Sequence, residues 1–495
     1  MAAHAWEAYA RFGLGHDEVR PVAQTPHDWY ATPLLSTPVD ALDALFVMRL
    51  DAAFAQAKAL VLASLDPARF AGRLSVFETT IRVVGGLLGA FDLDGDARLL
   101  AKAVDLADRL LPAFDTPNGL PLNFLNLSSG VACDYSGEFH GVGLAAAGSL
   151  QLEFQYLSDL TGNPIYAQKA LYVYEQMQAM HQNVPGLFPD WLSTESLEAP
   201  GWSFQIGGMA DSYYEYLMKL WLSTGDEKYY KYYITAAKSI ANYMVATSSD
   251  KSHVYIPVTD ITKDKFGNFK ATHRSTFPHL ACFSGAMFAM GSMAETKDQS
   301  DQLFQLGSQL TETCWRMYKA TVTGLGADVV NGDTFEAKDP SYKLRPEVVE
   351  SLFYMWRLTH DQIYRDRGWE VVQSLQKHCR SEFGFHGLTD VTVVGSLPWD
   401  KQESFFLAET LKYLYLLFSP DEVLPLEKYV FNTEGHPLSV RGHGRRADPR
   451  KFVPLPTNFA VPVGKIGKVS DQMMKLREIE KQFGLTMGKS FGVEE

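Results

Sequence analysis

Acidic residues recur at a similar distance before the predicted ends of successive helices. Each lies roughly 11 to 17 residues upstream of the next helix-ending signal, so in a ring of helical hairpins their side chains would lie at one height. The members of this set are Glu78, Asp211, Glu347 and Glu409, with His279 at a comparable distance before a break near residue 293. Carboxyl groups gathered in this way can exchange protons with a bound substrate. For each residue taken alone, the alternative is an ordinary favourable charge at a helix N-terminus.

Two pairs of polar residues share a helix face. Glu78 and Arg82 are spaced i,i+4, and Glu347 and Glu350 are spaced i,i+3. The first pair could be a plain intrahelical ion pair. If both side chains face a closed bore, however, the guanidinium of Arg82 can adjust the proton affinity of Glu78 or hold a substrate oxygen.

The helix-ending signals themselves recur about every 65 residues, which indicates a repeat. They occur at Gly95, Gly162, Gly225, His360 and Pro420, and the missing member falls near residue 293. A period of about 65 residues accommodates two helices and two connections, so each unit is a helical hairpin. We therefore predict an all-α protein in which seven hairpins close into an (α/α)7 barrel, with inner helices lining a bore. An open solenoid of the same hairpins is the alternative.

Composition limits the partners that such a protein can take. The 495 residues carry a formal net charge of -13, which argues against a nucleic-acid backbone as the main ligand. The 23 Tyr, 30 Phe and 9 Trp can fill a core or form the stacking surfaces of sugar sites. The sequence contains no stretch of 18 consecutive apolar residues and no signal-peptide pattern at its start, so we expect no membrane segment in this chain.

Eight stretches, in order along residues 15 to 438, resemble the class I α-1,2-mannosidases of glycoside hydrolase family 47. They are GHDEVRP, VDALDALFVMRL, FETTIRVVGGLLGAF, ADSYYEYLMKLW, HLACF, LRPEVVESLFYMWRLT, ESFFLAETLKYLYLLF and VFNTEGHPL. The resemblance implies an (α/α)7 barrel. It also implies an inverting, calcium-dependent enzyme that removes terminal α-1,2-linked mannose from high-mannose glycans.

The resemblance also assigns roles to individual residues. Glu78 matches the general acid, Glu347 the base that activates water, and Asp211 a third essential carboxylate. Inverting enzymes hold their two carboxyl groups roughly 6.5 to 9.5 Å apart, which leaves room for the water. The positions that match residues around the bound sugar are Arg82, His279, Arg345, Glu350, Phe405, Glu409 and Glu434.

Thr433, in the stretch KYVFNTEGHPL, matches the family's calcium ligand, which binds Ca²⁺ through its hydroxyl and its backbone carbonyl. Ca²⁺ accepts six to eight oxygen ligands, so one threonine, waters and sugar hydroxyls can complete the shell. The segment DLDGD, residues 92–96, is a competing calcium candidate. Its glycine comes too early for an EF-hand loop, and we predict a turn between helices there.

Two positions depart from the family pattern. Ala146 stands where the family has a glutamate that contacts sugar, which predicts weaker or altered binding beyond the −1 subsite. Met209 stands where members that trim a single mannose have Arg and broader members have Leu. An apolar side chain cannot clamp one glycan branch by hydrogen bonds, so we predict the broader branch preference.

The four cysteines are scattered singly, which is not a zinc pattern and leaves one disulfide open. Cys282 and Cys314 match the positions of the family's disulfide, and this implies an oxidising compartment in the secretory pathway, the periplasm or outside the cell. We expect Cys133 and Cys379 to be free and buried.

We predict a catalytic barrel over residues 1–440, a basic linker and short helical extension over residues 441–495, and a monomer that acts on a mannose-containing oligosaccharide. Two other functions compete with this prediction. The first is a mannose-binding protein of glycoprotein quality control with weak or no turnover, which Ala146 keeps open. The second is an unrelated toroidal enzyme such as a polysaccharide lyase, which would lack the VFNTEGHP stretch.

Overall fold

The computed structural model of the protein describes residues 1–134, 141–199, 201–294 and 297–442. Apart from Arg441 and Gly442, the predicted linker and short helix of residues 441–495 lie outside the described residues. The division of the chain at residue 440 therefore stays a prediction.

Sixteen α-helices dominate the described part of the chain. They are α1 (Ala2–Phe12), α2 (Ser36–Val47), α3 (Asp51–Ser64), α4 (Val76–Glu78), α5 (Gly85–Asp94), α6 (Ala97–Leu110), α7 (Leu144–Gly148), α8 (Gln151–Thr161), α9 (Ile165–Ala179), α10 (Asp211–Thr224), α11 (Glu227–Ser239), α12 (Ser284–Gly291), α13 (Lys297–Lys319), α14 (Glu347–Thr359), α15 (Gln362–His378) and α16 (Leu411–Phe418). Three π-helical segments extend these helices, at Thr79–Val84, Ile240–Met244 and Phe406–Thr410. Short 3₁₀ turns occur at Pro67–Arg69, Leu111–Phe114, His279–Phe283 and Ser292–Ala294.

Seven inner helices close into a ring. In spatial order they are α2, α5, α8, α10, α12, α14 and α16, and the segment Phe406–Thr410 that leads into α16 packs back against α2. Inner helices are buried on nearly all sides, as an apolar sequence around the whole helix requires, whereas the outer helix α3 buries only Phe54, Ala57 and Val61. The closed (α/α)7 barrel is confirmed, and the open solenoid is excluded.

The seventh hairpin is made from two distant parts of the chain. Six inner helices are followed directly by their outer partners, α3, α6, α9, α11, α13 and α15. The inner helix α16 instead has α1 beside its N-terminal segment. The side chain of Gln402 joins the two by donating a hydrogen bond to the carbonyl oxygen of Ala5 at 3.0 Å.

The predicted helix-ending signals mark real helix ends. Gly95, Gly162 and Gly225 end α5, α8 and α10 with φ values of 80°, 72° and 73°, a left-handed conformation that glycine adopts without strain. His360 ends α14 in the same region with φ 55°. In the segment 92–96 the first three residues are the last of α5, and Gly95 and Asp96 form the predicted turn to α6.

Nineteen short strands occupy the loops of the described residues, in antiparallel sheets of two or three strands. They are β1 (Glu18–Arg20), β2 (Thr25–His27), β3 (Leu74–Ser75), β4 (Phe124–Asn126), β5 (Val131–Cys133), β6 (Gly141–Gly143), β7 (Trp191–Ser193), β8 (Ser203–Phe204), β9 (Ala246–Thr247), β10 (Val254–Tyr255), β11 (Thr259–Lys263), β12 (Phe269–His273), β13 (Thr276–Pro278), β14 (Val329–Asn331), β15 (Ala337–Asp339), β16 (Gly387–Leu388), β17 (Pro398–Trp399), β18 (Tyr429–Phe431) and β19 (Pro437–Ser439).

The hairpin of β18 and β19 lies inside the ring, and we call residues 429–439 the closing hairpin. Strand β18 packs on α10, strand β19 packs on α5, and Val430, Phe431 and Leu438 are buried. The loop between the strands carries Thr433 into the bore.

Cys282 and Cys314 form a disulfide between the turn before α12 and the helix α13, as the family resemblance implied. Cys379 is free and buried. Cys133 is not part of a disulfide, and it is only half-buried, because it lies in the short strand β5 rather than in the helical core; the prediction of burial was wrong there. No helix in the described ranges has both the length and the apolar character needed to cross a bilayer.

Candidate active site

One cavity of about 380 Å³ lies in the bore and is lined by α10, by α14 and by the segments that lead into other inner helices. The predicted site residues that line it are Glu78, Arg82, Met209, Asp211, Arg345, Glu347, Glu350, Phe405, Glu409, Thr433 and Glu434. Ala146 lines it as well. His279 is absent from this lining but lies directly behind Glu347. The structure thus brings together residues that are up to 356 positions apart in the sequence.

Glu78 and Arg82 form a connected pair at the cavity. Ser75 caps the helix by accepting a hydrogen bond from the N–H of Glu78 at 3.2 Å, which fixes where the helix begins. The Nε of Arg82 donates to Oε2 of Glu78 at 2.7 Å. The Glu78 side chain is 36% exposed, whereas that of Arg82 is 13% exposed. The carboxyl group therefore reaches the open cavity while its arginine partner lies deeper.

Glu347 is held as a carboxylate. It is the first residue of α14, and its Oε2 lies 2.6 Å from Nδ1 of His279. Nε2 of His279 lies 2.8 Å from the hydroxyl of Tyr318, which fixes the imidazole from behind. Burial acts to raise the pKa of Glu347, but the neighbouring His279 and Arg345 outweigh burial and lower that pKa. Glu347 is therefore ionised at neutral pH and able to accept a proton.

The pKa of Asp211 is shifted in the opposite direction from that of Glu347. It is the first residue of α10, and its Oδ1 accepts hydrogen bonds from the N–H of Ser212 at 2.7 Å and from the Ser212 hydroxyl at 3.2 Å. Burial, together with the negative charges of Glu215 and Glu347, raises the pKa of Asp211 to about 7. A carboxyl that retains its proton near neutral pH thus lines the same cavity as an ionised one. Such a separation of pKa values is typical of acid–base pairs.

Three further carboxyl groups, those of Glu350, Glu409 and Glu434, are buried in the cavity wall. Burial and the charge of Glu215 raise the pKa of Glu350 above its ordinary value, and burial and Glu434 do the same for Glu409. Burial raises the pKa of Glu434 to about 8. These groups hold protons more readily than ordinary glutamates and can both donate and accept hydrogen bonds to hydroxyl groups.

The sequence reasoning missed Glu215 and Lys219, which continue the face of α10 that begins at Asp211. Glu215 lines the cavity and makes an ion pair with Lys219. Nζ of Lys219 also lies 4.0 Å from Oε1 of Glu350 and donates to the carbonyl oxygen of Asn432 at 3.4 Å. The i, i+4, i+8 spacing of these three polar residues in an otherwise apolar helix is a signal that could have identified them.

Thr433 lies at the tip of the closing hairpin, where the following residues make the turn. Gly435 has φ 72°, a value that favours glycine, and Oδ1 of Asn432 accepts hydrogen bonds from the N–H groups of Glu434 and His436 at 3.0 and 2.8 Å. The N–H of Thr433 donates to the hydroxyl of Tyr216 at 3.2 Å. Its carbonyl and hydroxyl oxygens accept no hydrogen bond from the described part of the chain.

No group of three or more His, Cys, Asp or Glu side chains among the described residues has an arrangement that could hold a metal ion. A cation at Thr433 would therefore depend on neutral oxygen atoms, which suits Ca²⁺ better than a transition metal. The calcium site remains a prediction.

The two positions that depart from the family pattern lie side by side in the cavity wall. The N–H of Ala145 donates to the carbonyl oxygen of Met209 at 2.8 Å, which ties the start of α7 to the loop before α10. Ala146 and Met209 both line the cavity. The wall is therefore apolar here, and the charged residues lie elsewhere around the cavity.

Carboxyl groups of different proton affinity that line one cavity are the groups with which glycoside hydrolases act. Residues 1–440 match the sequence profile of Glycosyl hydrolase family 47. The chain belongs to this family, and it is by family a glycoside hydrolase.

Known relatives agree with this assignment. The Mannosyl-oligosaccharide alpha-1,2-mannosidase IA of Drosophila melanogaster is 40% identical over 454 residues, which cover 89% of this chain and 66% of the fly protein. The Mannosyl-oligosaccharide 1,2-alpha-mannosidase MNS1 of Arabidopsis thaliana is 40% identical over 458 residues, which cover 90% of this chain and 78% of the plant protein. The chain thus spans about two thirds of the length of the fly relative.

Among solved structures, the alpha-1,2-mannosidase from Trichoderma reesei superposes with a TM-score of 0.80 at 29% identity. The superposition covers 89% of this chain and 97% of the fungal one.

Proposed function

We propose that this protein is an exo-acting α-1,2-mannosidase. It removes terminal α-1,2-linked mannose from high-mannose glycans or related mannosides, with inversion at the anomeric carbon and dependence on Ca²⁺. The observation that carries this proposal is one cavity lined by Glu78, Asp211 and Glu347, in which the pKa of Glu347 is lowered and that of Asp211 is raised. We also propose that the enzyme acts as a monomer.

Glu347 is the general base in this proposal. Its carboxylate removes a proton from the attacking water as the new carbon–oxygen bond forms at the anomeric centre. The hydrogen bond to His279 at 2.6 Å orients the carboxylate, and Nη1 of Arg345 lies 3.9 Å from its other oxygen. His279 and Arg345 lower the pKa of Glu347 and so favour its ionised state before the reaction, which is the state a base requires.

Glu78 is the general acid, and Asp211 supports it. The glycosidic carbon–oxygen bond breaks as the acid gives its proton to the leaving oxygen, so no free alkoxide is released. Asp211 has a pKa of about 7 and retains a proton on a large fraction of molecules at neutral pH. It is therefore a second group in the cavity that can donate a proton.

The remaining polar residues would hold the terminal mannose in the −1 subsite. Phe405 offers an aromatic face in the cavity, and the buried carboxyl groups offer hydrogen-bond partners for the sugar hydroxyls. The residues in this role are Arg82, His279, Arg345, Glu350, Phe405, Glu409 and Glu434, with His279 acting through Glu347.

The residues around Thr433 fit Ca²⁺. Thr433 offers two oxygen atoms that have no hydrogen-bond donor in the described residues. Tyr216, which accepts from the N–H of Thr433, donates to Oε1 of Glu153, and the buried Oε2 of Glu153 has no partner in the described chain. Thr433 and Glu153 thus contact the same Tyr216 hydroxyl, and each has oxygen atoms without a hydrogen-bond partner in the described residues. When bound, Ca²⁺ would supply positive charge and oxygen coordination that position sugar hydroxyls and water.

A mannose-binding protein with weak turnover is a second candidate, because Ala146 removes a carboxyl group from the cavity wall. One experiment separates the two functions. The protein is incubated with α-1,2-mannobiose, and the anomer released is followed by NMR. We expect β-mannose as the first product, since inversion of an α-linkage gives the β-anomer. Release of α-mannose first would contradict inversion, and binding without release would favour the second candidate.

The calcium dependence is tested separately with Thr433→Val, which removes the hydroxyl oxygen but keeps the shape of the side chain. We expect the variant to bind Ca²⁺ at least tenfold more weakly by isothermal titration calorimetry, and to lose activity at limiting Ca²⁺. The matched control is Thr272→Val at an exposed position in β12, which should leave Ca²⁺ affinity unchanged. Full activity of the wild-type protein after chelation would contradict the assignment.

A further inference from the structure

A second group of charged side chains lies behind Arg82 and has no role in the proposed reaction. Asp40 and Asp43 come from α2, Lys412 comes from α16, and His436 comes from the closing hairpin. All four are fully buried, with 0% exposure, and none of them lines the catalytic cavity. Four buried charges are costly unless each is matched by its neighbours.

Cations and anions alternate along this group. Nζ of Lys412 lies 2.6 Å from Oδ1 of Asp43, and Oδ2 of Asp43 lies 2.7 Å from Nδ1 of His436. Nε2 of His436 then lies 3.5 Å from Oδ1 of Asp40. Oδ2 of Asp40 lies 3.7 Å from Nη1 of Arg82, which also contacts Glu434. The alternating charges thus connect Lys412 of α16, through His436 of the closing hairpin, to Arg82, which contacts Glu78.

Asp40 is the weakly bonded member of this group. Both of its carboxylate oxygens, and Nε2 of His436, form no hydrogen bond within the described residues. A buried carboxylate without hydrogen bonds is held in place by charge alone, here by one cation on each side. If Asp40 were neutral, the positive charges of His436 and Arg82 would face each other with nothing between them.

We propose that Asp40 is a positioning residue that holds Arg82 in the orientation in which it contacts both Glu78 and Glu434. Arg82 donates from Nε to Glu78 at 2.7 Å and from Nη1 to Ser404 at 3.5 Å, so its guanidinium is held from several directions. Asp40 supplies the anionic contact on the side away from the cavity. The proposal rests on the proposed function, because it assumes that Glu78 is the catalytic acid.

His436 is the support on which Asp40 depends. The charged groups around it are Asp40 and Asp43 of α2, Lys412 of α16, Glu153 of α8, and Glu434 in its own loop. Burial acts to lower the pKa of His436, but Asp43 and Asp40 outweigh burial and raise it to about 9. At neutral pH the imidazole is therefore protonated and balances the two aspartates.

The test is Asp40→Asn, which keeps the size of the side chain and removes its charge. Initial rates with α-1,2-mannobiose are measured below the melting temperature of each protein. We expect kcat to fall about 10- to 100-fold, while KM changes less than about threefold, because a misplaced Arg82 affects the acid more than sugar binding. The matched control is Thr37→Val, one turn earlier on α2, where an equally buried hydroxyl has no hydrogen bond in the described residues. It should retain kcat within about twofold.

Three results would overturn the proposal. The first is a kcat for Asp40→Asn within twofold of wild type, even if the melting temperature falls. The second is an equal loss of kcat in Thr37→Val. The third is an equal loss in Asp40→Glu, which keeps the charge and should have a kcat at least tenfold above that of Asp40→Asn.

A measurement that needs no turnover separates this proposal from the proposed function. The protonation of His436 is followed by ¹⁵N NMR of its imidazole in the wild-type protein and in Asp40→Asn. We expect the imidazole to lose its proton at lower pH in the variant, and an unchanged titration would overturn the contact between Asp40 and His436. If wild-type protein releases no mannose, the proposed function fails, but this measurement still decides the contact.

Discussion

Replacing Glu347 by Gln is the sharpest test of the assigned base. The amide keeps the shape of the carboxyl group, and its oxygen can still accept the hydrogen bond from Nδ1 of His279 that spans 2.6 Å. It cannot accept a proton from water. Loss of a positioned general base costs up to about 10⁴-fold in rate, so we expect kcat to fall about 10³- to 10⁴-fold. At about 1.36 kcal/mol per factor of ten, this is roughly 4 to 5.5 kcal/mol of activation free energy.

Binding should change far less than turnover in this variant. We expect KM, and the dissociation constant for mannose measured by calorimetry, to stay within about threefold of the wild-type values. Glutamine keeps the shape of the side chain and one acceptor oxygen, so the contacts to the sugar are retained. The assay is the initial rate of α-1,2-mannobiose hydrolysis at saturating Ca²⁺. The matched control is Glu336→Gln, the same substitution at an exposed position between β14 and β15, which should retain full activity. A kcat for Glu347→Gln within tenfold of wild type would refute the base assignment.

Three further predictions concern stability and specificity. Because the pKa of His436 is about 9 in the folded protein and about 6.5 when unfolded, its contribution is fully present below pH 6.5 and is lost as pH rises through 9. In chemical denaturation at pH 7 and 9.5, the loss of stability at the higher pH should be up to about 3 kcal/mol larger in the wild-type protein than in the matched control His436→Gln. Substituting both Cys282 and Cys314 by Ser opens a loop with a sequence separation of 32 and should lower the free energy of unfolding by about 3 to 4 kcal/mol; reducing agent should then have no further effect. In a timed digestion of a nine-mannose glycan, apolar Met209 should allow several α-1,2-mannoses to be removed, whereas a product stalled after one specific mannose would contradict the broad branch preference.

Much of the fold was predictable because its signals are local. A glycine such as Gly95 or Gly225 at a helix end reflects a left-handed backbone conformation, and repetition of that signal gives the hairpin length. The positions of Asp211 and Glu347 along the barrel axis followed from the same signals, since each is the first residue of an inner helix. Features that depend on a single helix and on the residue that ends it could therefore be predicted from the sequence.

The rest could not be predicted because it depends on contacts between distant segments. Nothing local in α2 indicates that Asp40 will lie 3.7 Å from Arg82, or that His436 will lie between Asp40 and Asp43. The pairing of α1 with the start of α16 has no repeat signal, because the two partners are not neighbours in the chain. The separation of pKa values between Asp211 and Glu347 likewise arises from burial and from His279, which only the folded ring supplies.

The way in which α1 completes the seventh hairpin determines how this protein can be assembled. Gln402 and Ala5 are joined by a hydrogen bond across 397 positions, so α1 has no inner neighbour until nearly all of the barrel has been synthesised. Until α16 has been made, the hairpins already synthesised expose an apolar surface at the open edge of the incomplete ring. That exposed surface makes the nascent chain prone to aggregation. Closure of the ring then covers both open edges together. A chain that ends before residue 402 would keep two unpaired edges, unlike an open repeat array, which stays stable when it is shortened.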